Sequence, residues 1–224
     1  ATRGTRLSGK RALPRHRHLT RRGVSRLAPA LDPASHVGAV MYWDAQVDDA
    51  RHTLAVARTA AAHGATILTS ARVTSLQRMA DRVTGVRAVC LETGRTLDIR
   101  AKVVINATGV WSDDIQDMIG EGPLRVRASK GIHLVVPRDR IDAGTGIILR
   151  TEKSVLFVIP WRAHWIIGTT DTDWDLDRAH PAASHTDIQY LLDTVNRVLR
   201  HPLGPADVQG VYAGLRPLLS GESE

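Results

Sequence analysis

The sequence is short of cysteine, of aromatic residues and of long hydrophobic runs. Cys90 is its single cysteine, which excludes an internal disulfide and a multi-cysteine metal site and fits a reducing compartment such as the cytoplasm. No apolar run reaches the ~18 residues that a membrane-spanning helix needs. The first residues are basic and polar, unlike the apolar core of a secretory signal. The overall composition, 43% hydrophobic and 24% charged, is that of an ordinary globular protein.

Glycine-rich nucleotide loops and metal motifs are missing as well. Neither G-x-G-x-x-G nor a P-loop occurs, so these residues do not supply the usual cradle for a pyrophosphate. Aspartates alternate over residues 171–177, but Leu176 and Ala182 stand where a calcium loop needs glycine and glutamate. The histidines form no H-E-x-x-H pattern. We therefore predict no metal site.

The positive charge is concentrated at the start of the chain. Residues 1–36 hold nine of the 30 basic residues and one of the 23 acidic residues, so the remainder has a net charge of −1. Such a segment suits nucleic acid, an anionic membrane surface or bulk solvent. Aromatic residues, on which nucleic-acid bases stack, are absent from residues 1–36, so we expect no nucleic-acid partner.

Hydrophobic periodicity predicts a mixture of helices and strands, that is, an α/β layer with an inserted β-meander followed by a β-rich half. The predicted helices cover residues 21–27, 47–63, 111–119 and 186–200, the last opened by a capping box of Thr186 and Gln189. The predicted strands cover residues 38–44, 65–70, 72–78, 84–91, 95–100, 102–107, 130–136, 146–150, 154–159, 164–170 and 207–214.

Three short segments carry residue types that suit a ligand site. Residues 103–109 pass from an apolar run to Ala107, Thr108 and Gly109, small residues that allow a ligand close to the backbone. His133 starts an apolar strand after Lys130 and Gly131, where it can act as a general base or be structural.

Arg216 follows a strand that ends at Gly214. It can bind phosphate or carboxylate, or pair with a surface acid.

These segments together resemble the FAD-dependent, quinone-linked glycerol-3-phosphate dehydrogenase family of the DAO-type oxidoreductases, with actinobacterial members the most similar. The matching segments occur in the family's order. They are residues 42–51, 106–111, 129–137, 159–161, 168–171 and 214–218, with a weaker match over residues 9–30.

The resemblance implies an incomplete Rossmann-like FAD-binding domain and a β-rich antiparallel substrate domain. Residues 1–37 would belong to the substrate or cap region, residues 38–125 to the FAD-binding domain, and residues 126–224 to the substrate domain. The implied reaction, part of glycerol metabolism, oxidises sn-glycerol 3-phosphate to dihydroxyacetone phosphate. Hydride passes to FAD and the electrons pass to a quinone.

The resemblance also assigns site residues. His133 would hold or deprotonate the C2 hydroxyl, Arg216 would stabilise the oxyanion or bind phosphate, and Lys130 would join them in binding substrate. The FAD-binding residues would be Val73, Ala107, Thr108, Gly109 and Trp111.

We further expect an internal fragment, because the family's glycine-rich loop would precede Ala1 and its C-terminal part would follow Glu224. Alone, such a fragment would bind FAD weakly or not at all. Peripheral contact with an anionic membrane and an oligomeric state stay open. The alternatives are another FAD-dependent amine or amino-acid oxidase of the same layout and a non-catalytic module that binds nucleic acid through residues 1–36.

Overall fold

The computed structural model describes residues 6–7, 10–11, 14–120, 125–151 and 155–220. The chain divides into two compact units. Unit 1 comprises Ala1–Asp44 and Arg127–Leu218, and unit 2 comprises Ala45–Val126 and Leu219–Glu224.

The described elements follow one another in chain order as β1 (Arg6–Leu7), β2 (Lys10–Arg11), β3 (Arg17–Thr20), α1 (Arg21–Leu27), β4 (Gly38–Met41), α2 (Asp49–Ala62), β5 (Ala71–Met79), β6 (Arg82–Cys90), β7 (Thr96–Arg100), α3 (Ser112–Gln116), β8 (Arg125–Pro137), β9 (Ile147–Arg150), β10 (Val155–Trp161), β11 (His164–Gly168), β12 (Thr172–Asp173), α4 (His185–Asn196) and β13 (Gly210–Ser220). The predicted mixture of helices with a β-rich antiparallel second half is confirmed. Ser154, the first residue of one predicted strand, lies outside the described residues.

A six-stranded sheet organises unit 1. Its strands lie in the order β12-β8-β11-β10-β9, and β13 pairs with β8. Successive side chains of a strand point to opposite faces. Ile132, Leu134 and Val136 of β8 are therefore on one face, where each is fully buried. That face packs with residues of α1 and α4 in the hydrophobic core, and each such aliphatic side chain contributes about 1.5–3 kcal/mol through burial.

Helix α4 begins at His185, and its N-cap lies two residues before the predicted start of the capping box. The predicted pair Thr186 and Gln189 is wrong, because the helix already contains Thr186. Ser184 is the N-cap: its Oγ accepts from the Asp187 backbone N–H at 3.1 Å, and the Asp187 carboxylate accepts from the Ser184 N–H at 2.9 Å. The box is the same type of reciprocal cap, formed by serine and aspartate.

A buried ion pair joins this cap to the sheet. Nζ of Lys130 donates to Oδ2 of Asp187 at 2.7 Å and to the carbonyl of Ala182 at 3.2 Å, and it lies 4.9 Å from the centroid of the Trp174 ring. The Lys130 and Asp187 residues are each 6% exposed. The pair fixes α4 against the core face of β8.

Unit 2 contains the predicted meander. Strands β5, β6 and β7 pair antiparallel in that order, close to the predicted bounds. Helix α2 is capped by Asp48, whose carboxylate accepts from the Arg51 N–H at 3.2 Å.

Two strands predicted for unit 2 are wrong. Residues 65–70 and 102–107 are not strands in the described part of the chain, and Val103 and Ile105 are 72% and 83% exposed. An apolar run becomes a strand when a neighbouring backbone pairs with it, and no described strand does so here. The predicted helix over 111–119 is also shorter. It consists of a 3-10 turn, Gly109–Trp111, followed by α3.

No helix in the part of the chain that the structure describes combines the length and the apolar character needed to cross a bilayer.

The buried ion pair leads to a prediction about stability. Replacing Lys130 by methionine leaves a buried carboxylate without its cation, which is expected to lower the free energy of unfolding by about 3–5 kcal/mol. The control is Arg87→Met, which removes the exposed partner of Asp98 and should leave the denaturation midpoint nearly unchanged. Equal losses for the two variants in urea titrations would contradict the assignment.

The free energy of unfolding, measured at decreasing pH, tests the same ion pair between Lys130 and Asp187. Burial opposes the charged form of Asp187, but hydrogen bonds from Lys130 and Ser184 outweigh it and hold the pKa of this carboxyl below its usual 3.8. The stabilisation is therefore fully present above about pH 3.8 and is lost as the pH falls through the lower folded-state pKa.

Candidate functional site

The second face of the unit 1 sheet is more open and carries two of the three residues predicted to act on substrate, His133 and Arg216. Alternation along β8 places Ser129, Gly131 and His133 on this face. Across the sheet, His133 lies opposite Gly168 of β11. Tyr212 and Arg216 come from β13, which pairs with β8. The structure thus brings His133 and Arg216 to one face of one sheet.

The imidazole of His133 fits against a glycine and a tyrosine. Its ring stacks on that of Tyr212, with centroids 4.9 Å apart and planes inclined by 11°. A Cβ atom added to Gly168 would overlap the His133 ring. Any other residue at 168 would therefore displace the imidazole, so glycine is required by close approach rather than by a turn.

His133 is set up as a proton acceptor. Burial lowers the pKa of its imidazole below the usual 6.5, and the nearby positive charge of Arg216 lowers it further. The lowered pKa favours the neutral form of the ring at pH 7. Its Nδ1 is buried and has no hydrogen-bond partner among the residues that the structure describes.

One terminal nitrogen holds Arg216 in place. Its Nη2 donates to the carbonyl of Thr170 at 2.7 Å, to Oγ of Ser129 at 3.3 Å and to Oδ1 of Asp171 at 3.2 Å. Ser129 also hydrogen-bonds to Asp171.

The rest of this guanidinium is less constrained. Its Nε is buried, and no residue within the described ranges accepts a hydrogen bond from it. A buried donor without an acceptor costs about 1–3 kcal/mol. A ligand oxygen that accepts from Nε would remove this cost.

Lys130 is not brought to this site. It is three residues from His133, so its side chain leaves β8 on the core face, where it binds Asp187. The role in substrate binding predicted for Lys130 finds no support in this position.

The residues predicted to line FAD lie in unit 2. Gly109 has a φ of +59°, a left-handed conformation that favours glycine, and a Cβ added there would meet no atom within 4 Å. Backbone with free space beside it suits a flat cofactor placed close to the chain. These residues fit the expected group.

Asn106 organises this turn and was missed as a site residue. Its Oδ1 accepts from Oγ1 of Thr108 at 2.7 Å and from the Thr108 N–H at 3.3 Å, and its Nδ2 donates to the carbonyl of Ser112 at 3.0 Å. Asparagine two residues before threonine is typical of such a local turn, which is the signal that could have identified it.

The other two predicted FAD residues occupy different settings in unit 2. Val73 pairs with Ala88 in the meander, beside an irregularity in the register of β5. Trp111 ends the 3-10 turn and is 43% exposed. A contact of either with FAD stays a prediction.

Comparison with known proteins places the chain in a family. The family model described as "FAD dependent oxidoreductase" (DAO) matches residues 3–223. "Glycerol-3-phosphate dehydrogenase 2" of Mycobacterium tuberculosis is 58% identical over 220 residues, which are 98% of this chain and 38% of that protein. The human "Glycerol-3-phosphate dehydrogenase, mitochondrial" is 36% identical over 203 residues, 86% of this chain and 28% of that protein.

Solved structures agree with this placement. The glycerol-3-phosphate dehydrogenase of Bacillus halodurans complexed with FAD gives a TM-score of 0.80 at 34% identity, over 90% of this chain and 42% of that one. A glycine oxidase of Bacillus cereus gives 0.71 at 24% identity, over 91% and 53%, and shows the fold alone. The chain thus spans less than half the length of the glycerol-3-phosphate dehydrogenases that it matches. It belongs to the DAO family of FAD-dependent oxidoreductases.

Proposed function

We propose that this chain forms part of an FAD-dependent enzyme that oxidises sn-glycerol 3-phosphate to dihydroxyacetone phosphate. The observation that carries the proposal is the pair formed by His133 and Arg216 on the open face of the unit 1 sheet. One is an imidazole whose pKa is lowered, which favours its neutral form, and the other is a cation whose Nε finds no acceptor within the described residues. An alcohol that bears a phosphate needs both groups.

Oxidation of the C2 alcohol removes a proton from oxygen and a hydride from carbon. His133 accepts the hydroxyl proton as a general base. Arg216 donates from Nε to the carbinol oxygen or to the phosphate, and the hydrogen bonds of its Nη2 fix the direction of that donor. FAD, when bound, supplies the hydride acceptor.

We propose a division of labour between the two units. Unit 1, with the N-terminal segment, holds the substrate residues. Unit 2 lines FAD through Val73, Ala107, Thr108, Gly109 and Trp111, as the resemblance implies. The open space beside Gly109 supports the cofactor role.

A quinone is the proposed electron acceptor, in a pathway of glycerol metabolism. The electrons must leave the cofactor before the next turnover, and the relatives are named dehydrogenases rather than oxidases.

We also propose cytoplasmic placement with peripheral contact to an anionic membrane. The support is a set of exposed arginines near the N-terminus that suits anionic lipid. Its described members are Arg15, Arg17, Arg21, Arg22 and Arg26. The basic side chains before Arg15 lie outside the described residues.

A substrate panel tests the proposed reaction. The complete protein, loaded with FAD and supplied with a soluble quinone analogue, is expected to oxidise sn-glycerol 3-phosphate. Glycine, D-alanine and glycerol should give little or no turnover, because the amino acids lack the phosphate and the C2 alcohol and glycerol lacks the phosphate. Turnover of an amino acid without turnover of glycerol 3-phosphate would favour the amino-acid oxidase alternative.

The pH profile tests His133 as the base. For the wild type, kcat/KM should rise with pH through a pKa below 6.5 and then stay level, because the imidazole must be neutral to accept a proton. His133→Gln is expected to lower kcat/KM by about 10²- to 10⁴-fold and to remove this acid limb.

His164→Gln is the matched control. This histidine lies on β11 and hydrogen-bonds to Gln209 at 3.0 Å, so its substitution should keep the limb. A limb that persists unchanged in His133→Gln would assign it to another group, such as the second ionisation of the substrate phosphate, and not to His133.

A further inference from the structure

Tyr212 is the one aromatic side chain stacked on the proposed base within the described residues, and neither the sequence motifs nor the mechanism above uses it. It lies four residues before Arg216 on β13, so both side chains leave the strand on the same face. The Tyr212 residue is 47% exposed. Because Tyr212 is half exposed, loss of its ring should affect the contacting histidine more than the hydrophobic core.

Orientation of His133 needs an explanation. A functional histidine is usually oriented by a hydrogen bond from the ring nitrogen that faces away from the substrate. Here Nδ1 is buried and makes no hydrogen bond to any residue within the described ranges. The ring must therefore be held by packing, and two packing contacts are visible. The His133 ring lies against Gly168, which has no side chain, and it stacks on the ring of Tyr212.

The two contacts have different consequences. Gly168 has no Cβ atom, so it leaves room for the imidazole in this position but offers it no side-chain surface. The Tyr212 ring provides an attractive surface, because near-parallel aromatic rings at this separation attract one another beyond the effect of the area that they bury. Rotation of the imidazole about its Cβ–Cγ bond would break this stack.

We propose that Tyr212 is a positioning residue, whose ring fixes the orientation of the His133 imidazole and shields one of its faces from water. The proposal rests on the proposed function, in which His133 is the base. In this proposal, Tyr212 acts on His133 through its stacked ring.

The described residues that face His133 come from three strands. Strand β13 presents Tyr212 and Arg216 to it, β11 presents Gly168, and the neighbours on the same face of β8 are Gly131 and Val135. Arg216 stays in place when Tyr212 is changed, because its own partners are Ser129, Thr170 and Asp171. Loss of the ring therefore changes hydration and orientation of the imidazole without removing the neighbouring cation.

The test compares Tyr212→Phe, Tyr212→Leu and Tyr212→Ala in the complete FAD-loaded protein, with Tyr190→Ala of α4 as a matched exposed tyrosine outside the site. Two quantities are measured. One is the chemical shift and pKa of the ¹³C-labelled His133 ring by NMR, assigned with His133→Gln, and the other is the pH dependence of kcat and KM.

Tyr212→Phe and Tyr190→Ala should match the wild type in both quantities. Tyr212→Ala and Tyr212→Leu should lose the ring-current shift of His133. In Tyr212→Ala, the His133 pKa and the acid limb should move up together towards 6.5, because water reaches the ring. Both variants should lower kcat by about 10- to 100-fold, a range typical of a misplaced catalytic group, with a smaller change in KM.

Several results would overturn the proposal. In the first, Tyr212→Ala leaves the His133 shift, pKa and kcat unchanged. In the second, Tyr212→Leu restores full kcat, which would show that bulk alone is needed. In the third, Tyr212→Phe behaves as Tyr212→Ala does, which would assign the effect to the hydroxyl.

The NMR readout separates this inference from the proposed function. If glycerol 3-phosphate is not a substrate while the His133 resonance still responds to the loss of Tyr212, the proposed function fails and the positioning contact stands. If glycerol 3-phosphate is oxidised and the resonance does not respond, the positioning role fails alone.

Discussion

Strand β8 has to satisfy two environments at once, because successive side chains point to opposite faces of its sheet. Ile132, Leu134 and Val136 complete a core with α1 and α4, while Ser129, Gly131 and His133 are turned to the other face. A shift of one residue in register would exchange these sets. It would bury His133 in the core and expose the aliphatic residues. The hydrophobic core therefore fixes the face on which the site forms.

The two faces are connected through Thr170. Its Oγ1 accepts from the backbone N–H of Ile132 at 3.1 Å and donates to the carbonyl of Lys130 at 3.4 Å, and its own carbonyl accepts from Arg216 at 2.7 Å. Lys130 is anchored to Asp187 at the start of α4. The packing of that helix is thus linked to Arg216 by a short chain of hydrogen bonds. Lys130 belongs to this support and not to the substrate face.

The alternation of side chains along a strand explains which parts of this site the sequence can predict. The four-residue separation of Tyr212 and Arg216 puts them on one face of β13, and the three-residue separation of Lys130 and His133 puts these on opposite faces of β8. Applied to the predicted strand over 130–136, this alternation would have placed Lys130 on the opposite face from His133. The stack of Tyr212 on His133 depends on which strands are neighbours in the sheet, and the hydrophobic pattern of single segments does not contain that information.

The elements of the fold also differ in whether local sequence signals predict them. Local signals predicted the meander, α1 and the existence of α4, because turn residues and helical periodicity act within a few positions. The apolar run over 102–107 predicted a strand, but strand formation depends on a partner outside the segment. The predicted capping box lies two residues too late, because Ser184 and Thr186 are both good N-cap residues. Helix α4 starts after Ser184.

We propose that His133 and Arg216 act on one bound molecule. The most direct measurement is a crystal structure of the complete FAD-loaded protein, reduced to prevent turnover, with sn-glycerol 3-phosphate. We expect the C2 hydroxyl to lie within hydrogen-bond distance of a ring nitrogen of His133 and an oxygen of the same molecule to accept from Nε of Arg216. A fully occupied substrate that contacts neither side chain would show that these residues do not form the substrate site.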